Sequence, residues 1–306
     1  MILCCGESLI DMLPRTTAAG EAAFAPHVGG AVFNTAIALG RLGAPAGFLS
    51  GISTDLFGAR LMAALAAAGV DSRACVRSAR PTTLAFVTLA DGQARYAFYD
   101  EGTAGRMLAP ADLPALPDRV TACFFGGISL MVEPCAQAYE ALAARAQAAG
   151  RVVMLDPNIR PGFNADPATY RARLARMMGL AQIVKVSDED LHWITGTTGP
   201  EAVAALRAMG PHLVLVTEGA DGATGHGTGA AVHRPAPRVT VADTVGAGDT
   251  FNAGVLAALH RAGLLTREGL ATLTPEALAR AIDLGIRAAA VTVSRPGADP
   301  PWRHEL

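Results

Sequence analysis

Short apolar runs at residues 2–5, 47–50, 122–125, 152–155, 183–186 and 213–217 alternate with Ala-, Leu- and Arg-rich stretches of helical period, at 35–42, 60–68, 136–148 and 201–208. Runs that are apolar at every residue, not every second one, need cover on both faces. The alternation therefore predicts an α/β chain of β-α units around a central, mostly parallel sheet between helices. Gly43, Gly69, Gly150 and Gly210 each close a helical stretch and precede a new strand signal, as expected for left-handed C-terminal caps. Two regions break the rhythm. Residues 13–28 are polar and rich in Pro and Gly, with a short apolar piece at Phe24, and residues 82–99 read as strand, Asp91-Gly92 turn, strand. Together they predict a small β-sheet standing off the main body, a lid over a cleft at the strand ends, built from about residues 12–29 and 81–101. Without an internal repeat or low-complexity linker, residues 1–306 read as a single domain.

Composition narrows the function classes. A chain with 51% hydrophobic and 17% charged residues can build a core and is not disordered. No uninterrupted apolar run approaches the roughly 18 residues of a bilayer crossing, so no membrane span is expected. The net charge of −2 arises from 25 basic and 27 acidic residues spread along the chain. No basic stripe suits a nucleic acid backbone. Lys185 is the sole lysine, so an anionic ligand must be met by arginine, backbone N–H groups or a metal ion. Cys4, Cys5, Cys75, Cys123 and Cys135 are odd in number and form no C-x-x-C pair, which argues for buried thiols in a reducing cytoplasm. Glu7 and Asp11 arrive too early for a signal peptide. The seven histidines lack ligand spacing, and no G-x-S-x-G elbow occurs.

The most informative segment is Asp243-Thr-Val-Gly246-Ala247-Gly248-Asp249, followed by a helical run to about Ala262. Glycines at a helix start expose free N–H groups at the positive end of the dipole, which makes a phosphate cradle without side-chain charge. Asp249 inside that cradle is electrostatically wrong unless it has another task. Accepting the proton of an attacking hydroxyl in phosphoryl transfer is such a task. Read alone, the segment is equally a flexible turn with an acidic helix cap. A second segment, Gly29-Gly30-Ala-Val-Phe-Asn34, opens another helix, where the glycines permit close backbone approach and Asn34 offers a donor and an acceptor to a hydroxyl. Asp11 follows the first strand and could accept from neighbouring hydroxyls. Each of these is, by itself, also an ordinary surface loop.

Taken together and in this order, the two segments resemble the paired signatures of the ribokinase/PfkB carbohydrate kinases over nearly the whole chain. Residues 6–14, 30–39, 96–106 and 185–191 are most similar to bacterial fructokinases. The resemblance implies a ribokinase-like three-layer α/β/α sandwich with a small β lid. It implies Asp249 as catalytic base, with the backbone N–H groups of Gly246, Ala247 and Gly248 as anion hole. Asp11, Gly29, Gly30 and Asn34 would hold the sugar. Thr217, Gly219 and Gly222 match the family's nucleotide loop, and Ile282 and Gly285 fall where the family packs adenine. ATP and Mg²⁺ are the implied cofactors. Asp243, Val245 and Ser294 lie where several members bind K⁺, and a homodimer through the lid follows many relatives.

At Lys185-Val-Ser187-Asp-Glu-Asp190 the chain departs from the Asn-x-x-Glu common in the family, which limits Ser187 at the nucleotide and Asp190 to contacts with Mg²⁺ and phosphate through water. Arg160, in Asp156-Pro-Asn158-Ile-Arg160 after a strand end, could reach the transferring phosphate or the sugar; a surface ion pair is the plainer alternative. Phe98 could cover the apolar face of a sugar ring, or simply pack the lid. The acids Asp100 and Glu101 disfavour an acid sugar, although Arg106 lies close by. The expected reaction is phosphorylation of a neutral ketose, D-fructose to fructose 6-phosphate. The alternatives are a ribokinase, a 2-keto-3-deoxygluconate kinase, or a sugar or nucleotide sensor without turnover.

Overall fold

The computed structural model describes residues 1–90, 93–163 and 166–306, so the Asp91-Gly92 turn lies outside the described residues. In chain order the strands are β1 (Ile2–Cys5), β2 (Leu9–Thr16), β3 (Ala22–Gly29), β4 (Ala46–Leu49), β5 (Gly51–Ser53), β6 (Val76–Ser78), β7 (Leu84–Ala90), β8 (Gln93–Tyr99), β9 (Ala122–Gly126), β10 (Val152–Asp156), β11 (Ile183–Ser187), β12 (Leu213–Thr217), β13 (Ala223–His226) and β14 (Val232–Arg234). The helices are α1 (Ala31–Arg41), α2 (Leu56–Ala67), α3 (Cys135–Ala148), α4 (Pro167–Leu180), α5 (Asp188–Thr195), α6 (Gly199–Ala208), α7 (Ala247–Arg261), α8 (Arg267–Ala271) and α9 (Pro275–Val293).

One sheet has the order β14-β13-β12-β11-β10-β9-β1-β4. Its pairings are parallel from β4 through β12 and antiparallel only at β13 and β14. The apolar runs are continuous because successive side chains enter opposite layers. Ile2 and Cys4 belong to the core shared with α1, α7 and α9, whereas Leu3 and Cys5 belong to the core shared with α3, α4 and α6. This is the expected α/β/α sandwich. Side-chain caps fix several helix starts: Asp55 accepts from the Gly58 amide at 2.7 Å, and Asp166 from the Thr169 amide at 3.1 Å.

The second sheet has the order β3-β2-β7-β8. The polar region expected only to contribute to it is a full hairpin beginning at Leu9, with β2 and β3 antiparallel from Leu9↔Gly29 to Thr16↔Ala22. One face is built on aromatics: Phe86 meets Phe24 and Tyr99 edge-on at 5.0 and 5.4 Å. β5 and β6 form a separate short parallel pair.

Candidate active site

β1 pairs with β4 on one side and β9 on the other, so the chain's connections diverge there and leave a crevice beyond the strand ends. A cleft of about 250 Å³ occupies it, lined by residues from β2, β8, β10, β11 and the starts of α1 and α7. Of the residues singled out in the sequence, Asp11, Gly30, Asn34, Phe98, Arg160, Val245, Gly246, Gly248 and Asp249 meet around this cleft.

Gly246 caps α7 in a left-handed conformation (φ 79°), and a Cβ there would lie 2.7 Å from the Ala298 Cβ. That turn aims the first amides of α7 at the cleft. The Ala247 amide is engaged with the Thr244 carbonyl at 3.4 Å, so it is the weakest member of the anticipated trio. The Gly248 and Asp249 amides have no partner among the described residues. The Gly246 amide has none either, so two of the three anticipated donors are open and the Asp249 amide adds a third. Asp249 is 8% exposed, and its Oδ2 accepts from the Asn34 Nδ2 at 2.9 Å. Burial pushes the Asp249 carboxyl up to about 7; the Asn34 bond and the Lys185 charge oppose the rise, and the Asp156 charge adds to it. A base poised near neutrality beside open amides is suited to taking a proton from an alcohol as phosphate charge develops.

Asn34 → Ala removes a donor to the charged form of Asp249. The acid limb of kcat/KM against pH should move upward, and an unmoved limb would show that the bond does not act on Asp249.

Opposite α7 lies a polar wall. Gly30 caps α1 with φ 105° and lies against the Glu7 carbonyl oxygen, so its surroundings require a glycine, while the Asp11 Oδ2 lies 2.1 Å from where a Gly29 Cβ would stand. Burial raises Asp11 to about 6. Phe98 packs edge-on against Phe163 at 4.7 Å and borders the cleft. Arg160 is exposed at the rim and donates to the Ile159 carbonyl at 3.1 Å. The acids Asp100 and Glu101 do not line this cleft: Asp100 is paired with Arg106 at 3.1 Å, so the argument against an acid sugar from that segment fails.

The anticipated nucleotide residues lie apart from the cleft lining. The Thr217 hydroxyl donates to the Val186 carbonyl at 3.4 Å, and a turn at Gly219–Asp221 joins β12 to β13. A Cβ on Gly222 would strike the Arg234 carbonyl oxygen at 2.1 Å, so the backbone of β14 already demands that glycine. Ser187 caps α5 by accepting from the Asp190 amide at 3.0 Å. Ile282 is fully buried, and Gly285 is the close-approach point of α9 against Gly254 of α7. Asp243 joins two loops, accepting from the Val245 and Gly297 amides at 3.0 Å each, and the Ser294 hydroxyl turns back to the Val291 carbonyl at 2.7 Å.

Several cleft residues were missed or named only in passing. Glu7 accepts from the Ala31 amide at 3.0 Å and the Ser129 amide at 3.3 Å, tying the start of α1 to the turn after β9. Lys185 donates to Asp156 Oδ2 at 3.1 Å, and Asn252 Nδ2 to the same oxygen at 2.6 Å. The sole lysine of the chain was the available signal.

Residues 1–305 match the family model of the pfkB family carbohydrate kinases. The chain belongs to this family. A fructokinase from Rhizobium leguminosarum bv. trifolii is 55% identical over 280 residues, covering 91% of this chain and 85% of that protein. A fructokinase from Klebsiella pneumoniae is 34% identical, covering 98% and 96%. The crystal structure of a fructokinase with bound ATP from Xylella fastidiosa superposes with a TM-score of 0.87 at 31% identity, covering 97% of this chain and 93% of that one. The kinase has no helix, among the described residues, long and apolar enough to cross a membrane.

Proposed function

We propose that this kinase transfers the γ-phosphoryl group of ATP to the 6-hydroxyl of D-fructose. The observation that carries the reaction is the buried Asp249 carboxylate, held by Asn34 beside the unpartnered amides of α7. The choice of sugar is supported by the 55% identity to a fructokinase and by the acids Glu7 and Asp11 in the cleft wall, which suit hydroxyls better than a second carboxylate. Asp11, Gly29, Gly30 and Asn34 hold the sugar, and Phe98 covers its apolar face. Asp249 takes the hydroxyl proton as the oxygen attacks phosphorus and the bond to the β-phosphate breaks, giving ADP. The amides of Gly246, Gly248 and Asp249 face the charge on the transferred group. The four-stranded sheet acts as a lid that excludes water, within one domain spanning residues 1–306.

Among the described residues no three His, Cys, Asp or Glu converge as a metal cage. A Mg²⁺ ion that keeps its waters and binds chiefly to phosphates needs none. Asp190 fits that role: one carboxylate oxygen accepts from the Ile159 amide at 3.3 Å, while burial, then the Asp156 charge, raises it to about 6. A divalent cation would relieve that repulsion and supply charge neutralisation at the phosphates. Asp243 orders the loops of Val245 and Ser294, whose carbonyls suit K⁺. Five free cysteines agree with a reducing cytoplasm. Exposed Phe24 and Tyr99, at 43% and 63%, support a homodimer through the small sheet.

The test is ADP release under saturating Mg-ATP across fructose, ribose and 2-keto-3-deoxygluconate. Fructose should give the highest kcat/KM by tenfold or more. Preference for another sugar refutes the substrate, and sugar binding without ADP favours a sensor.

A further inference from the structure

Lys185 is the only lysine in the chain, and every other basic residue is arginine. It is 5% exposed, on β11, and its ammonium donates to Asp156 Oδ2 at 3.1 Å. Among the described residues its other two N–H groups have no partner. The Nζ lies so near the start of α7 that a Cβ on Gly248 would be 3.0 Å from it. Lys185, Gly248 and Asp249 all line the same cleft, so a cation, an open amide and a base converge.

Asp156 does not depend on Lys185 for its hydrogen bonds. Its Oδ2 also accepts from Asn252, and its Oδ1 from the Asn158 amide at 3.2 Å. Burying an ion pair is a weak source of stability, so the pair calls for another reason. The cleft supplies one. Its lining carries the acids Glu7, Asp11, Asp156 and Asp249 against the cations Lys185 and Arg160, and Arg160 stands at the exposed rim. A triphosphate entering that field needs a positive charge at its terminal group. A compact ammonium with rotatable donors can keep Asp156 and still follow a moving phosphoryl oxygen, which a rigid guanidinium fork does less well.

We propose that Lys185 is a catalytic residue, its ammonium contacting the phosphoryl group as it passes from ATP to the sugar oxygen. This rests on the kinase reading above. In the step, the sugar O–P bond forms, the bond from phosphorus to the β-phosphate oxygen breaks, the hydroxyl proton goes to Asp249, and Lys185 keeps its protons throughout.

The alternative is that Lys185 only neutralises Asp156, and a double-mutant cycle separates the two. Lys185→Met is made in the wild type and in Asp156→Asn, where no unpaired buried carboxylate threatens folding. Each protein is assayed with whichever sugar the wild type phosphorylates. Contact with the phosphoryl group requires kcat to fall a hundredfold or more on Lys185→Met in both backgrounds, with the sugar KM within about threefold. A loss smaller than tenfold in the Asp156→Asn background overturns the proposal. A wild type inert towards every sugar would instead refute the kinase reading, a distinct result.

Discussion

Asp249→Asn should lower kcat by a hundredfold to ten-thousandfold while leaving the affinity for the sugar nearly unchanged, the range expected for a lost general base. The side chain keeps its shape, and its carbonyl can still accept from the Asn34 Nδ2, now at 2.9 Å. What disappears is the capacity to take a proton. The wild-type carboxyl stands at about 7 against an ordinary aspartate value of 3.8, with burial as the leading cause. In the free enzyme kcat/KM should therefore rise with pH to a limb near 7 and level off above it, because only the ionised form is a base. Stability should run the other way. A carboxyl whose value is raised on folding binds its proton more tightly in the folded state. Its contribution is full below 3.8 and is lost as pH climbs through about 7. At pH 8 that loss amounts to roughly 4 kcal/mol. The Asn variant, which carries no such charge, should be more stable than the wild type at pH 8 and nearly equal to it at pH 4. Denaturant titrations at both pH values, beside initial rates, check the pair. Retained turnover would remove Asp249 from the mechanism, and an equal stability difference at both pH values would refute the raised carboxyl.

The second large effect lies where the helices cross. Gly254 of α7 and Gly285 of α9 let the two backbones touch: a Cβ on Gly254 would stand 2.6 Å from the Gly285 Cα and 2.8 Å from its nitrogen. A backbone inside a 19-residue helix cannot step aside as a flexible side chain can. The same helix pair is pinned by the hydroxyls of Thr292 and Thr250, 3.0 Å apart and both buried. Gly254→Val should therefore push α7 away from α9 and cost about 3 kcal/mol or more, beyond ordinary core overpacking. Because Asp249 rides on the first turn of α7, kcat should fall in the fraction that remains folded. A change below 1 kcal/mol in urea unfolding would show that the crossing yields without strain.

The positions of the strands and helices were legible because their causes are local. Continuous apolar runs fix buried strands, helical spacing fixes the covering layers, and the two glycine-bearing segments fix where α1 and α7 begin. The hairpin of β2 and β3 was harder to read: its strand residues include Pro14 and Pro26 and half-exposed polar side chains, so no alternation marks them. Its pairing with β7 joins residues about 74 apart, as in Ile10↔Leu84, a contact no local signal encodes.

By itself the sequence determined the α/β layering, the glycine cradle and the identity of Asp249 as an acid in an anion's place, since each follows from neighbours a few residues away. Tertiary structure alone decided which groups share the cleft. It brought Asn34 to Asp249 across 215 positions and Asn252 to Asp156 across 96, and it set Gly285 against Gly254 of α7 and Ile282 against Gly225 of β13. It also placed Lys185 beside Gly248, because burial, shared hydrogen bonds and the balance of charge in a cleft exist only once distant strand ends have been folded together.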